Sequence, residues 1–372
     1  MFLKLTFCVI ALASTALAEE YTPGSDEYLL NALVPLLSPL NAFDGPAYIS
    51  NATTRPNKNT LPTVDQMMYY NYYAESAYYV YDHDDLTCDS CLEFKDDVTY
   101  HEVIKNTFHD TLALVTLSED REEIVVTFRG TANVWNVVLD ALLILGRDSN
   151  TPKQVKIHRG FYIATMSLYD DVVETVADLL NENPGFKVVL TGHSLGGAMA
   201  RITYFFFADR NLFPGVEFEL YTYGEPRVGN KYFAEFMNCQ PITTARVVAR
   251  ADLFPHIMPT SILGTRLLGD YYVHAQTEYW INGEDCQKFC RQTTYEDQQC
   301  SISLGPAYSA LDHFFYFDVN YVYSFGQPLA YAALPFKLLD PVGVLPPLPK
   351  PIEKLIGGIA GGVAGALVPA LG

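Results

Sequence analysis

The sequence is poor in basic residues and in charged residues generally. Only 24 of its 372 residues are Lys or Arg, against 43 Asp or Glu, so the formal net charge is −19. A surface of this sign repels phosphates, which argues against nucleic acids and anionic membranes as partners and favours an uncharged substrate. Charged residues make up 18% of the chain and apolar residues 49%, which excludes disorder over most of its length.

Cysteine is also scarce, and the cysteines lack a zinc pattern. No second close Cys or His pair follows Cys88-x-x-Cys91 at zinc-finger spacing, and no thioredoxin pattern surrounds it. Six of the seven cysteines follow a predicted secretion signal, and an even number in a secreted chain predicts disulfides. We expect a local bond between Cys88 and Cys91. The remaining four allow three pairings, which the sequence leaves open: Cys239, Cys286, Cys290 and Cys300.

The first 18 residues are predicted to be a cleaved secretory signal. Lys4 precedes the apolar run 5–12, and Ala16-Leu17-Ala18 is a small-x-small cleavage site. The run is too short to span a bilayer comfortably, so an N-terminal anchor is the weaker alternative. The sequon at Asn51 is the only one in the chain and predicts glycosylation there.

The remaining chain divides into an irregular arm (19–65), one α/β domain (66–340) and a tail (341–372). Predicted strands and helices alternate in the domain, which indicates a mostly parallel sheet with helices on both faces. No internal repeat interrupts this pattern. The predicted strands are 111–117, 123–128, 187–191, 217–223 and 245–249, and the predicted helices are 67–80, 161–180 and 195–208.

The tail is Pro-rich up to residue 351 and then uncharged and rich in Gly and Ala. Its prolines forbid regular structure, while Gly357, Gly361 and Gly365 have the spacing of helix-packing glycines in membranes. Three interpretations stay open: a surface-docked tail, weak membrane association, and a lipid-anchor signal removed on processing.

Gly192-His193-Ser194-Leu195-Gly196 is the strongest motif in the chain. It fits G-x-S-x-G and stands between a predicted buried strand and a predicted helix, where a nucleophile elbow requires small neighbours. The N-terminus of the helix that follows the motif stabilises negative charge that develops there during a reaction. We therefore predict that Ser194 is a nucleophile. The side chain of His193 is expected to leave the elbow on the opposite side, which predicts a packing role.

A nucleophilic serine needs a histidine base and an orienting carboxylate, which follow it in chain order in this type of fold. Asp252 comes directly after a predicted strand and fits the acid. Of the three later histidines, His256 is only four residues past Asp252 in a Pro-flanked turn, which disfavours it. The pattern alone leaves His274 and His313 as candidate bases.

The chain resembles the secreted fungal class 3 triacylglycerol lipases over roughly residues 66–325. The shared runs, in family order, are 127–131 (TFRGT), 158–161 (HRGF), 191–197 (TGHSLGG), 223–230 (YGEPRVGN), 246–248 followed by Asp252, Pro255, His256 and Pro259, then 272–274, 278–280 and 312–317 (DHFFYF).

This resemblance implies an α/β-hydrolase fold and assigns roles to individual positions. His313 takes the position of the family's base, Asp252 that of its acid, and His274 that of a structural histidine. Thr131 and the amide of Leu195 take the positions of the oxyanion hole. Cys88 and Cys91 match a small family disulfide, whereas the other cysteines do not map cleanly.

The resemblance also implies a lid helix directly after Thr131, at 132–146. This segment is apolar on nearly all sides, so it must be buried or meet lipid; an ordinary core helix is the alternative. The family has an Asn-Trp-x-x-Asp pattern here, from which this sequence departs. Trp135 precedes Asn136, and Leu139 precedes Asp140. The lid residues on which we base the prediction are Trp135, Leu139, Asp140 and Leu142.

The sequence thus predicts a secreted, monomeric serine hydrolase that cleaves lipid esters at an oil–water interface without metal or cofactor. Three alternatives remain: a feruloyl or other polar-ester esterase on the same scaffold, a non-catalytic lipid-binding homologue, and a membrane-tethered interaction protein. The apolar lid argues against a polar-ester esterase, and the intact Ser, Asp and His argue against a non-catalytic homologue. Only the C-terminal tail supports a membrane-tethered protein.

Overall fold

The computed structural model describes residues 61–83, 85–131, 145–146, 151–258, 260, 272–283, 287–290, 296–304 and 308–321. The predicted signal, the Asn51 sequon, most of the arm, residues 132–144 of the predicted lid, and the tail lie outside these residues. Within the described part of the chain, no helix is long and apolar enough to cross a membrane.

An eight-stranded sheet forms the centre of the protein, in the order β1-β2-β3-β6-β7-β9-β11-β12. The inner strands β3, β6, β7, β9 and β11 are parallel, and the outer ones pair antiparallel. The strands of this sheet are β1 (Tyr100–Asn106), β2 (Thr111–Ser118), β3 (Glu123–Phe128), β6 (Lys187–His193), β7 (Phe218–Tyr223), β9 (Thr243–Ala249), β11 (Glu278–Ile281) and β12 (Gln287–Phe289).

Two small sheets lie beside the large one. The first has the order β10-β8-β5-β4 and the second pairs β13 with β14. Their strands are β4 (Leu145–Gly146), β5 (Ile157–His158), β8 (Gly229–Asn230), β10 (Tyr272–Val273), β13 (Phe315–Tyr316) and β14 (Val319–Asn320).

The described residues contain four α-helices: α1 (Val64–Tyr79), α2 (Arg159–Glu182), α3 (Leu195–Asp209) and α4 (Lys231–Asn238). Side chains of α2, α3 and α4 form one core cluster with the sheet, whereas α1 and the 310–321 segment form the other. The predicted mostly parallel sheet with helices on both faces is therefore confirmed. Because β3 and β6 are buried on both faces, their sequences read as apolar runs.

Local sequence explains where α1 begins. Thr63 is its N-cap: the hydroxyl accepts from the Gln66 amide N–H, and the Gln66 side chain accepts from the Thr63 N–H. This reciprocal capping box satisfies two backbone donors that a helix start leaves free. The helix therefore starts three residues before the apolar period that predicted it at Met67.

Two disulfides occur in the described residues. Cys88 is bonded to Cys91, and Cys290 to Cys300. Of the four cysteines whose pairing the sequence left open, Cys290 and Cys300 are therefore bonded to each other. Cys239 forms no disulfide with a described residue, and Cys286 lies outside them.

We expect mass spectrometry of a non-reducing proteolytic digest to show both bonds. Cys88 and Cys91 should appear oxidised within one peptide, and Cys290 should appear joined to Cys300. The Cys88–Cys91 loop is so short that the bond removes little chain entropy, so its loss should change local geometry more than global stability. A reduced digest is the control. Free, alkylated thiols at both Cys88 and Cys91 would contradict the assignment.

Candidate active site

Ser194 occupies a sharp turn between β6 and α3. Its backbone has φ 59° and ψ −125°, which a non-glycine residue adopts only under strain. The flanking glycines make the turn feasible: a Cβ on Gly196 would lie 2.0 Å from the Phe128 oxygen, and one on Gly192 would lie 2.4 Å from the Gly196 carbonyl carbon. The turn therefore presents Ser194 at the carboxyl edge of the sheet and at the start of α3.

His313 contacts Asp252, although 61 positions separate them in the chain. The His313 Nδ1 lies 2.8 Å from the Asp252 Oδ2, and both side chains are fully buried. Asp252 follows β9, and His313 lies in the short 3₁₀ turn Asp312–Phe314. The Phe254 amide N–H donates to the Asp252 Oδ1 over 2.8 Å, and the Tyr316 hydroxyl donates to Oδ2.

Burial controls the protonation of this pair. Burial lowers the pKa of His313 well below its usual 6.5. It also raises the pKa of Asp252, whereas the hydrogen bonds from the Tyr316 hydroxyl and the Phe254 amide lower it and favour the carboxylate. Because Tyr316 and Phe254 both donate, the Asp252 oxygens act as acceptors, so we assign the proton of the His313 ring to Nδ1. Nε2 is then free of a proton, and it is buried with no hydrogen-bond partner in the described part of the chain.

Two neighbours fix the plane of the His313 ring. The Phe254 ring stacks on it at a centroid distance of 3.8 Å. On Gly224, which has φ +62°, a Cβ would lie 2.7 Å from the His313 Cε1 and 2.8 Å from Nδ1. Only a glycine therefore leaves room for the imidazole at this position. No role was predicted from the sequence for Gly224, Phe254 or Tyr316, although Gly224 and Tyr316 lie within the shared runs.

His193, the residue directly before Ser194, lies beside the His313 ring. The ring of His193 is 4.4 Å from that of His313, and the Ser194 amide N–H donates to the Tyr223 carbonyl, 2.8 Å away. The parallel strands β6, β7 and β9 thus deliver Ser194, Gly224 and Asp252 to the same sheet edge, where the 3₁₀ turn adds His313.

The other two candidate histidines have different partners. The His274 Nδ1 lies 3.1 Å from the Glu296 Oε2, and burial lowers the pKa of His274 to about 4. His256 stacks on Tyr308, and its Nε2 lies 3.1 Å from the Ser301 hydroxyl. The only His ring that hydrogen-bonds to Asp252 within the described residues is that of His313.

The predicted oxyanion-hole residues stand at the ends of two elements. Leu195 is the first residue of α3, where an N–H has no acceptor inside the helix. Thr131 follows β3 and is preceded by Arg129, whose Nη2 donates over 2.6 Å to both the carbonyl and the Oδ1 of Asp110. The guanidinium also lies 3.8 Å from the centre of the Tyr81 ring. Arg129 therefore anchors the segment that leads into Thr131.

The four predicted lid residues, Trp135, Leu139, Asp140 and Leu142, lie outside the described residues. The end of the predicted lid segment is described: Leu145–Gly146 is β4, a strand of the small sheet, paired with β5. It is a strand and not a helix, so the predicted helix at 132–146 is wrong at its last two residues.

One set of His, Cys, Asp and Glu side chains has metal-like geometry within the described residues. It consists of Glu278, Cys290 and Cys300. The two sulfur atoms are bonded to each other, so they are not thiolate ligands. The set therefore does not form a metal centre.

Comparison with known proteins shows similarity to lipases. Residues 125–262 match the model of the family "Lipase (class 3)". A lipase of Rhizomucor miehei is 32% identical over 246 residues, which cover 64% of this chain and 62% of that protein. The chain thus spans less than two thirds of that relative. A secreted mono- and diacylglycerol lipase of Fusarium solani is 34% identical over 177 residues, or 47% of this chain and 49% of that protein.

A solved structure agrees with the fold. A triacylglycerol lipase whose catalytic centre is described as a serine protease triad superimposes with a TM-score of 0.60 at 29% identity, covering 70% of this chain and 96% of that one. The predicted α/β-hydrolase fold is therefore confirmed.

Proposed function

We propose that this chain is a secreted serine lipase that hydrolyses carboxylic ester bonds of acylglycerols, and the match of residues 125–262 to the class 3 lipase family model supports this. The observation that carries the proposal is the buried pair of Asp252 and His313, with the strained elbow of Ser194 at the same sheet edge. The secreted relative supports the predicted signal, and the acidic surface suits an uncharged substrate.

Each step of the proposed reaction uses one of these groups. The His313 Nε2 takes the proton of the Ser194 hydroxyl as its oxygen attacks the ester carbon. Thr131 and the amide N–H of Leu195 stabilise the oxyanion of the tetrahedral intermediate. Asp252 stabilises the imidazolium of His313. His313 then gives its proton to the departing alcohol, which leaves an acyl-enzyme. A water molecule, activated in the same way, releases the fatty acid.

Hydrolysis of p-nitrophenyl esters of graded acyl length, measured beside a feruloyl ester, tests this function. We expect hydrolysis of the p-nitrophenyl esters, with preference for acyl over feruloyl groups, and no activity in Ser194→Ala. Preference for the feruloyl ester would favour the esterase alternative. A folded wild-type protein without activity on any ester would be a non-catalytic homologue.

We further propose that the apolar segment 132–144 is a mobile lid and that its opening accompanies binding to a lipid surface. Each large apolar side chain that is buried contributes roughly 1.5–3 kcal/mol, so in water the segment should lie closed over Ser194. An oil surface offers these side chains another apolar partner and binds the open form better, which shifts the population. Opening would also carry Thr131 towards the oxyanion.

The rate on a short-chain ester should therefore rise sharply once the substrate exceeds its solubility limit. Trp135→Ala should blunt this rise more than it lowers the rate on dissolved substrate. The matched control is Leu92→Ala, which removes an exposed apolar side chain elsewhere and should leave the rise unchanged. A smooth hyperbolic curve through the limit, equal in all three proteins, would mean that the segment is a fixed helix.

A further inference from the structure

His193 is fully buried directly before Ser194, and both of its ring nitrogens have hydrogen-bond partners. Its Nε2 lies 2.7 Å from the carbonyl oxygen of His313, and its Nδ1 lies 2.9 Å from the hydroxyl of Tyr78. The ring also stacks on Tyr321 at 3.9 Å. The sequence predicted only a packing role for His193, whereas the structure makes it a hydrogen-bonded link between α1, the elbow and the turn of His313.

The chemistry of the partners sets the direction of the link. A carbonyl oxygen only accepts, so the His193 Nε2 must carry the proton and donate to His313. Burial lowers the pKa of His193 well below 6.5, and the neighbouring His313 lowers it further, so the ring is neutral. Its Nδ1 is then an acceptor for the hydroxyl of Tyr78, whose pKa is raised by burial. The link therefore runs from Tyr78 through His193 to the main chain of His313.

The His313 carbonyl needs such a donor. It lies in the 3₁₀ turn Asp312–Phe314, where the carbonyls of Leu311 and Asp312 accept the bonds that close the turn and the Phe314 carbonyl accepts from the Tyr321 N–H. A buried carbonyl without a donor is costly, so the bond from His193 stabilises this position of the turn. The side chain of the same residue is held by Asp252. His313 is thus fixed both at its main chain and at its ring.

We propose that His193 is a positioning residue for ester hydrolysis: it holds the main chain of His313 so that the imidazole keeps its place beside Ser194. This rests on the proposed function, because it concerns the proposed base. The titratable groups that face the His313 ring are Asp252, His193 and Tyr316, from three different elements. None of them touches the substrate in the proposed reaction.

Two substitutions separate hydrogen bonding from packing. His193→Phe keeps a flat ring against Tyr321 and removes both nitrogens, whereas His193→Gln keeps one donor and one acceptor. A small displacement of a catalytic group can lower the rate about 100-fold, so we expect His193→Phe to lower kcat by about 10- to 100-fold at nearly unchanged KM. His193→Gln should recover part of the loss.

The pH profile is the second readout. The acid limb of kcat/KM reports the pKa of the base in the free enzyme. In wild type its midpoint should lie below 6.5, because burial disfavours the imidazolium of His313. In His193→Phe a less firmly held ring should be better hydrated, so the midpoint should move up towards 6.5. Loss of folded protein alone would not move it.

A further variant, Tyr78→Phe, guards against misfolding of the His193 variants. It removes only the hydroxyl that donates to the His193 Nδ1 and should lower kcat less than His193→Phe. In the His193→Phe background, Tyr78→Phe should lower kcat less than it does in the wild type, because the phenyl ring offers the Tyr78 hydroxyl no acceptor. Equal losses in both backgrounds would contradict a link through His193.

The matched control is His274→Phe, which replaces another buried histidine that bonds to Glu296 and not to Asp252. It should reduce stability without moving the acid limb. Rates are divided by the number of sites that a p-nitrophenyl phosphonate labels at Ser194. A folded His193→Phe enzyme with wild-type kcat per labelled site and an unchanged acid limb would overturn the proposal. Failure of the proposed function would instead appear in the wild type, as absence of both hydrolysis and labelling, and the positioning role would fall with it.

Discussion

Replacing His313 with alanine is expected to lower ester hydrolysis on the order of 10⁴-fold while the protein stays folded. Within the described residues, the His313 ring is the only imidazole that hydrogen-bonds to Asp252. Its Nε2 has no hydrogen-bond partner among these residues. Without this ring nothing takes the proton of Ser194 or returns it to the leaving alcohol. The measurement is kcat/KM on a soluble p-nitrophenyl ester, with circular dichroism as the check on folding.

His274→Ala is the matched control for this prediction. It removes the bond to Glu296, so its main effect should be on the free energy of unfolding. In wild type, the pKa of His274 is about 4 in the folded state and 6.5 when unfolded, so the unfolded chain binds more protons between these values. Its contribution to stability therefore falls as pH drops from 6.5 to about 4, and the variant should lack this part of the pH dependence. An inactive, folded His274 variant beside an active His313 variant would reverse the assignment of the base.

Arg201→Met is expected to lower the free energy of unfolding by about 3–5 kcal/mol, because it leaves a buried carboxylate without its counter-charge. The Arg201 Nη2 donates to the Glu225 Oε2 over 2.7 Å, its Nε donates to the other carboxylate oxygen, and its Nη1 donates to Gln276. Arg201 and Glu225 are each about 1% exposed. Urea unfolding followed by tryptophan fluorescence measures the change.

The position of this pair connects stability to the site. Arg201 lies on α3, the helix that begins after Ser194, and Glu225 follows Gly224, on which the His313 ring rests. Loosening the pair should therefore lower the rate even in the protein that remains folded. Removing both charges, in Arg201→Met with Glu225→Met, should recover part of the stability, since no unpaired charge is then buried.

Arg210→Met provides a control on the same helix with the same chemical change. Arg210 is exposed at the end of α3, where its guanidinium lies 4.5 Å from the Phe206 ring centre. An exposed cation–π contact contributes about 0.5–1 kcal/mol, so the loss should be small. Equal losses in the Arg201 and Arg210 variants would show that the buried pair adds nothing beyond an exposed contact.

Local rules in the sequence were enough for the elements that carry the site. The strands 123–128 and 187–191 are continuous apolar runs, and such runs form only where both faces of a sheet are covered, so the central sheet could be predicted. The elbow could be predicted because its two glycines permit a backbone turn that other residues do not. The strands β1, β11 and β12 of the large sheet and the helix α4 were missed. β1 is largely exposed and reads as polar, and the other three elements are too short for a period to show.

Contacts between distant segments depended on the tertiary structure. From pattern alone both His274 and His313 could be the base, and a family resemblance favoured His313; the fold brings only the latter to Asp252, because the turn after residue 311 returns over the carboxyl edge of the sheet. The Cys290–Cys300 bond and the link from Tyr78 through His193 to His313 are of the same kind. Sequence by itself determined five strands of the large sheet (β2, β3, β6, β7 and β9), the elbow and the chemical types at the site. The packing of α1 and the 312–321 turn on one face of the sheet decided which of those groups meet. Partners that are distant in the chain depend on where the segments pack, which a local sequence pattern does not encode.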